Sequence, residues 1–156
     1  MGQEIERKFL IKAAEWQKLE KPSGKQLRQG YILTDPNKTI RVRIADKTAW
    51  LTIKGISVGA SRLEFEYEIP LQEGNELLDN FSEAELEKVR YEIIYKGKLW
   101  EVDVFAGDNE GLIVAEIELF SEDEKFELPN WVAEEVTQDK KYYNSNLTKH
   151  PFKNWE

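Results

Sequence analysis

An α+β fold dominated by β-strands, with roughly eight of them and so enough to close into a barrel without free edges, is predicted by this 156-residue sequence. Three observations carry the prediction. Apolar and polar residues alternate with period 2 along most of the chain, connections of hairpin length separate the alternating runs, and helical signals are few and short.

In chain order, Glu4, Glu6 and Lys8 share one face of a first strand whose other face carries Ile5, Arg7 and Phe9. Ala13 to Leu19, ahead of Pro22, reads as a single helical segment. IRVRIA sets Arg41 and Arg43 against Ile40, Val42 and Ile44, and WLTIKG sets Thr52 and Lys54 against Leu51 and Ile53. RLEFEYEI opposes Arg62, Glu64, Glu66 and Glu68 to Leu63, Phe65, Tyr67 and Ile69. Ser82-Glu83-Ala84-Glu85 fits a capping box and predicts a helix running through Leu86 toward Lys88. The alternation returns in VRYEIIY, LWEVDVF and LIVAEIEL, the last with Glu116 and Glu118 opposite Ala115, Ile117 and Leu119. Ser121-Glu122-Asp123-Glu124 is expected to start a solvated helix, and Asp139 to cap one that carries Tyr143 and Leu147 and ends before His150-Pro151. Asp46-Lys47, Lys96-Gly97-Lys98 and Gly107 to Gly111 are turns of hairpin length, so most of the sheet should be antiparallel.

A chain of this length with 40% hydrophobic residues is expected to make one domain, residues 1–156. Lys and Arg number 22 against 30 Asp and Glu, and the net charge of −8 disfavours non-specific attraction to nucleic acid or to an anionic membrane. Without Cys there is no disulfide, thiolate site or cysteine nucleophile, and a single His excludes a multi-histidine zinc site. Any metal must be held by oxygen. The charged start MGQEIERKFL lacks the apolar core of a signal peptide, and no run of about 18 apolar residues occurs, so a soluble cytoplasmic chain is expected. A homodimer is left open.

The chemistry lies in the sign of the charges along each strand. Residues i and i+2 on one face stand about 7 Å apart, so Glu-x-Glu and Arg-x-Arg place like charges where they repel. Arg41/Arg43 on one strand and Glu4/Glu6, Glu64/Glu66 and Glu116/Glu118 on others are easily understood if both sets meet external counterions. The cations would then hold a polyanion and the carboxylates a hard divalent cation. Charged alternation is ordinarily the wet outer face of a half-buried sheet, which periodicity alone favours here, and spacing does not tell inside from outside.

EIERKFL, with Glu4, Glu6 and Lys8, resembles the ExExK signature of the CYTH superfamily, the triphosphate tunnel metalloenzymes. QGYILTDPNKTIRVRI, AWLTIKG, RLEFEYEIPL, Lys88-Val89-Arg90, LWEVDVFAGDNEGLIVAEIEL and NWVAEEVTQDKKYYNSNL resemble, in order, further segments of its short bacterial branch, from about Gln3 to Leu147. The resemblance implies a closed antiparallel eight-stranded barrel around a hydrated, charged tunnel, with short helices outside. It implies Mg²⁺ or Mn²⁺ on Glu4, Glu6, Glu116 and Glu118, and triphosphate on Lys8, Arg41, Arg43, Lys54, Lys88 and Arg90. Glu64 and Glu66 match tunnel positions, and Tyr31 matches a tyrosine that in part of the family pairs with the first-strand lysine, here Lys8, near the leaving group. A buried structural tyrosine is the alternative for Tyr31.

Phosphoryl transfer of this kind needs charge and position rather than a protein nucleophile, and Glu64, Glu66 or Asp103 is expected to accept the proton of the attacking water. Neither GxxxxGK[ST] nor GxGxxG nor a hydrolase serine motif is present. His150 is read as a tail residue, the five Trp as packing residues, and Lys140 and Lys141 as either solvated or near one tunnel mouth. A metal-dependent hydrolase of inorganic tripolyphosphate, with nucleoside triphosphates as weaker substrates, is the expected activity. The alternatives are a nucleoside or thiamine triphosphatase, an adenylate cyclase of the same superfamily, and a non-enzymatic binder of triphosphate or polyphosphate.

Overall fold

A computed structural model describes residues 2–155. Its elements are β1 (Gln3–Ile11), α1 (Ala13–Lys18), β2 (Lys25–Asp35), β3 (Lys38–Ala45), β4 (Thr48–Gly55), β5 (Ser61–Ile69), α2 (Leu71–Phe81), β6 (Ala84–Tyr95), β7 (Lys98–Phe105), β8 (Ile113–Glu118), β9 (Val132–Glu135) and α3 (Asn144–Lys149). Strands β5, β4, β3, β2, β6, β7, β8 and β1 lie side by side, all antiparallel, and β1 returns to β5 to close an eight-stranded barrel. The closing seam is short. β5 meets β1 only over Gln3–Ile5, and β9 pairs with β1 farther along, at Phe9 and Ile11.

The alternation resolves in favour of a charged interior. Lys88 and Asp103 are 0% and 1% exposed, while Phe65 and Tyr67 on the outer face of β5 are 45% and 57% exposed. The apolar cores therefore lie outside the barrel wall. One gathers Phe9, Trp100 and Ile117 of the wall against Trp16 of α1 and Trp131. Trp16, Trp100 and Trp131 meet edge-on at centroid distances of 5.7 and 5.8 Å, the packing role expected of them. A second core sets Leu86, Phe105 and Val114 against Tyr142 and Leu147.

Three helix expectations change. The segment after Ser82 is strand β6 and not a helix, because Ala84–Arg90 pair with Tyr31–Lys25 of β2. Ser82 instead ends α2, its hydroxyl donating to the Leu78 carbonyl at 2.9 Å. That helix lies across β2, β3 and β4, and it carries Gly74 because a Cβ there would meet the Cβ of Ala49 at 2.6 Å. Ser121–Glu124 forms a turn rather than a helix start, with Glu124 accepting from the Phe120 amide and paired with Lys98. Asp139 caps the Lys141 amide as expected, but the chain then makes one 3₁₀ turn, Lys140–Tyr142, before α3. Among the described residues no helix is long and apolar enough to cross a membrane.

Candidate active site

Strand register decides which charges meet. Antiparallel pairing sets Glu6 opposite Glu118 and Lys8 opposite Glu116 across β1 and β8. Across β4 and β5 it sets Lys54 opposite Glu64 and Thr52 opposite Glu66, and across β6 and β7 it sets Arg90 opposite Asp103. Because the face alternates, these pairs all reach the barrel interior.

Two adjoining cavities occupy that interior and share Glu4, Glu6, Arg41, Lys54 and Asn144. The first, about 660 Å³ including its mouth, adds Lys8, Tyr31 and Arg62, and is bordered by the Ser57–Ala60 loop and by Tyr143–Ser145. It holds four cations, Lys8, Arg41, Lys54 and Arg62, against the two carboxylates Glu4 and Glu6. The second adds Arg43 and Arg90 but also Glu64, Glu66, Glu101, Glu116 and Glu118. A polyanion is therefore favoured in the first cavity, and a hard cation toward the second.

The cations are held by a network. Lys54 Nζ lies 3.0 Å from both carboxylate oxygens of Glu4 and 3.2 Å from Glu64. Arg41 donates to Thr52 Oγ1 at 3.2 Å, and Thr52 donates to Glu66 at 2.8 Å. Arg41 and Arg43 both stand near the same Glu66 oxygen, at 3.5 and 3.6 Å. Arg41 Nε is buried without a hydrogen-bond partner among the described residues, a donor still unmet. Burial, with Arg41 and Arg90 beside it, lowers Arg43 to about 10.

The carboxylates divide by their neighbours. Burial pushes Glu6 well above the usual carboxylate range, and the charges of Glu116 and Glu4 push the same way. Glu4 and Glu118 are raised as well, first by burial. For Glu116 burial is outweighed by Lys8, helped by Arg90 and Lys88, and its pKa falls to about 2. Asp103 is buried too, but Lys88 at 2.7 Å and a two-pronged Arg90 at 2.7 and 2.9 Å hold it far below its usual range. So strongly stabilised an anion is a poor proton acceptor, which removes Asp103 from the expected bases.

Of the residues singled out in the sequence, Glu4, Glu6, Lys8, Tyr31, Arg41 and Lys54 line the first cavity, and Arg43, Glu64, Glu66, Arg90, Glu116 and Glu118 line the second. Lys88 lines neither: it is enclosed between Asp103 and the side-chain oxygen of Asn144, 3.4 Å away. Lys8 and Tyr31 share a wall but not a hydrogen bond. Lys8 Nζ donates to the Tyr142 carbonyl at 3.4 Å and lies 3.7 Å from Glu116, while the Tyr31 hydroxyl accepts from Gln29 at 3.4 Å. Sequence reasoning missed Arg62, although it stands two residues before Glu64 on the same face. It also missed Thr52 and Asn144, neutral residues that carry no charge signal. Lys141 is stacked on Trp155 at 4.7 Å, whereas Lys140 lines a groove adjoining the first cavity.

A closed antiparallel barrel whose interior is a paired cationic and anionic tunnel defines a class built to hold a polyanion beside carboxylates. The chain belongs to the CYTH family: the CYTH domain matches residues 2–151. It is 49% identical over 157 residues to an inorganic triphosphatase of Acetivibrio thermocellus, covering 100% of this chain and 99% of that protein. It is 38% identical over 153 residues to an inorganic triphosphatase of Nitrosomonas europaea, covering 92% and 95%. The crystal structure of an inorganic triphosphatase superposes with a TM-score of 0.64 at 34% identity, over 93% of each chain.

Enzymes of this family depend on a metal ion, and the donor chemistry here fits one. Glu6 and Glu118 form no ion pair within 4 Å among the described residues, and burial and carboxylate repulsion disfavour their charge, the imbalance a divalent cation would correct. As they stand, no three described carboxylates converge enough to enclose an ion, because Glu4 is drawn to Lys54 and Glu116 lies beside Lys8.

Proposed function

We propose that the protein hydrolyses inorganic tripolyphosphate to pyrophosphate and phosphate, using Mg²⁺ or Mn²⁺. The first cavity carries this reading, with Lys8, Arg41, Lys54 and Arg62 converging opposite Glu4 and Glu6. Whole-length similarity to two inorganic triphosphatases supports it.

In this reading Arg41 and Arg62 grip phosphate oxygens as planar forks, and Lys8 and Lys54 act as point charges. Their positive charge stabilises the negative charge spread over the equatorial oxygens in the transition state. Glu4, Glu6, Glu116 and Glu118 would hold the metal, which supplies further charge neutralisation and alignment of the phosphates. Water adds to the terminal phosphorus as the bond to the bridging oxygen breaks. Glu64 and Glu66 are the carboxylates assigned to take the water's proton, and Lys8 Nζ, with the Tyr31 hydroxyl on the same wall, serves the departing pyrophosphate oxygen. Arg43 and Arg90, which line the second cavity, complete the phosphate-binding set, while Lys88 acts at one remove, through Asp103.

A weaker nucleoside triphosphatase activity is favoured by the groove beyond the mouth, where Ile56, Tyr143, Lys140 and Lys149 leave space for an organic group. A panel of tripolyphosphate, pyrophosphate, ATP and thiamine triphosphate with Mg²⁺ or Mn²⁺, read by phosphate release and by cyclic AMP, tests both. Tripolyphosphate should lead. Cyclic AMP as the main product, or binding without turnover, would overturn the assignment.

A further inference from the structure

We propose that Trp155 is a positioning residue for the tunnel, acting through Tyr142 to hold residues 142–144 in place; the proposal rests on the tripolyphosphatase reading. Three consecutive residues each send a different group inward. Tyr142 offers its carbonyl to Lys8 Nζ at 3.4 Å. Tyr143 sets its ring 5.4 Å from that ammonium and 5.9 Å from the Arg62 guanidinium. Asn144 accepts from Lys88 Nζ at 3.4 Å and lines both cavities.

Local structure does not hold such a segment. It consists of one 3₁₀ turn and a six-residue helix, far below the roughly 12–15 residues at which an isolated helix becomes even marginal in water. Its placement must come from packing. Tyr142 and Leu147 are buried with Leu86, Phe105, Leu112 and Val114, and Trp155 packs against this cluster. The Trp155 ring meets Tyr142 edge-to-face at 5.2 Å and 86°, and Phe152 at 5.1 Å. Trp155 Nε1 donates to the carbonyl of His150, just beyond α3, at 3.0 Å. The Phe152 amide donates to the buried Asn109 side chain at 2.8 Å, tying this tail to the connection between β7 and β8.

Trp155 lines neither cavity, so its influence on substrate is indirect. Without the indole, Tyr142 loses its ring partner and α3 the bond beyond its end. The carbonyl on Lys8 and the ring and amide at the mouth then lose their fixed positions. In the tripolyphosphatase reading the Tyr143 ring and the Asn144 amide border the bound polyanion, so their displacement should raise KM, while Lys8, still held 3.7 Å from Glu116 across β1 and β8, keeps its place at the departing oxygen and kcat should change less.

The test compares full-length wild type, Trp155→Ala and Trp155→Phe by steady-state kinetics on tripolyphosphate and by amide hydrogen exchange without ligand. Trp155→Ala should raise KM about tenfold with kcat within about threefold, and should speed exchange in residues 140–149 about tenfold while β2 and β3 keep their protection. Trp155→Phe, which retains a ring against Tyr142, should return both readouts to within about twofold of wild type. If Trp155→Ala loses protection in β2 and β3 as well, Trp155→Leu replaces it with the same expectations. Unchanged exchange in residues 140–149, or faster exchange with a wild-type KM, overturns the proposal. Faster exchange in that segment alongside a wild type that does not cleave tripolyphosphate supports the positioning role and sinks the substrate reading instead.

Discussion

The ammonium of Lys54 donates to both carboxylate oxygens of Glu4, each at 3.0 Å. A residue proposed to hold phosphate thus neutralises one proposed to hold metal. In the proposed function, binding exchanges this internal pair for phosphate on Lys54 and a cation on Glu4.

Ligand should therefore stabilise the fold by more than either component alone. Tripolyphosphate with Mg²⁺ at about 100 times Kd contributes about 2.7 kcal/mol, and at about 2–4 °C per kcal/mol this predicts a rise in Tm of roughly 5–10 °C. Pyrophosphate should give less. A thermal melt with no shift at millimolar tripolyphosphate and Mg²⁺ would mean that the interior charges are satisfied by one another.

Glu6 offers a cleaner dissection than Glu4, because among the described residues it forms no ion pair within 4 Å whose loss would disturb the fold. Burial and the charges of Glu116 and Glu4 already disfavour its ionised form. Glu6→Gln should cut turnover by about 10²-fold or more while the melting temperature stays equal or rises, since a repelling charge is removed. Chelator should abolish wild-type activity, and Mg²⁺ or Mn²⁺ restore it. Full turnover in excess chelator would reject the metal assignment.

Arg41→Ala and Tyr31→Phe separate binding from chemistry. Arg41 reaches the first cavity with an unmet Nε donor, so its loss should raise KM as well as lower kcat. Tyr31→Phe removes one hydroxyl and keeps the ring, so kcat should fall by about 10²-fold if that hydroxyl assists the leaving group, with stability nearly unchanged. In this structure its bonded neighbour is Gln29 and not Lys8, so the assistance requires substrate to bridge them. Wild-type kcat in Tyr31→Phe across the pH range would return Tyr31 to packing alone.

Strands were legible because period 2 survives any partner: the runs around Glu4, Arg41, Glu64 and Glu116 are strands, and they close as expected. Inside and outside were not legible from spacing. A strand with Glu64 and Glu66 on one face and Phe65 and Tyr67 on the other reads identically whichever face is wet, and only the curvature of a closed barrel decides. Ser82 misled for a different reason. Its Ser-x-x-Glu pattern imitates a helix start, but pairing of Ala84–Arg90 with β2 overrides that local preference. The true helix, α2, was hidden because Gly74 and Asn75 weaken it locally, and Gly74 is explained only by Ala49, distant in sequence.

On the outer wall, Arg7 offers a pH-dependent test that leaves the tunnel intact. Its Nε and Nη2 reach Glu135 of β9 at 2.8 and 2.5 Å, and its guanidinium lies 5.0 Å over the Phe126 ring. The hydrogen bonds from Arg7 hold Glu135 below the usual carboxylate range against a smaller opposing effect of burial. A depressed folded pKa means that the pair's contribution is present above the unfolded value of about 4.3 and is lost as pH falls through the folded one. Because both side chains are about a third exposed, the contribution is solvent-screened, about 0.5 kcal/mol. Arg7→Ala should therefore melt slightly lower than wild type at pH 7, converge with it as pH falls through the depressed folded pKa of Glu135, and keep wild-type kcat on tripolyphosphate. A stability difference of the same size at pH 3 and pH 7 would show that Arg7 acts by packing on Phe126 instead of by pairing with Glu135.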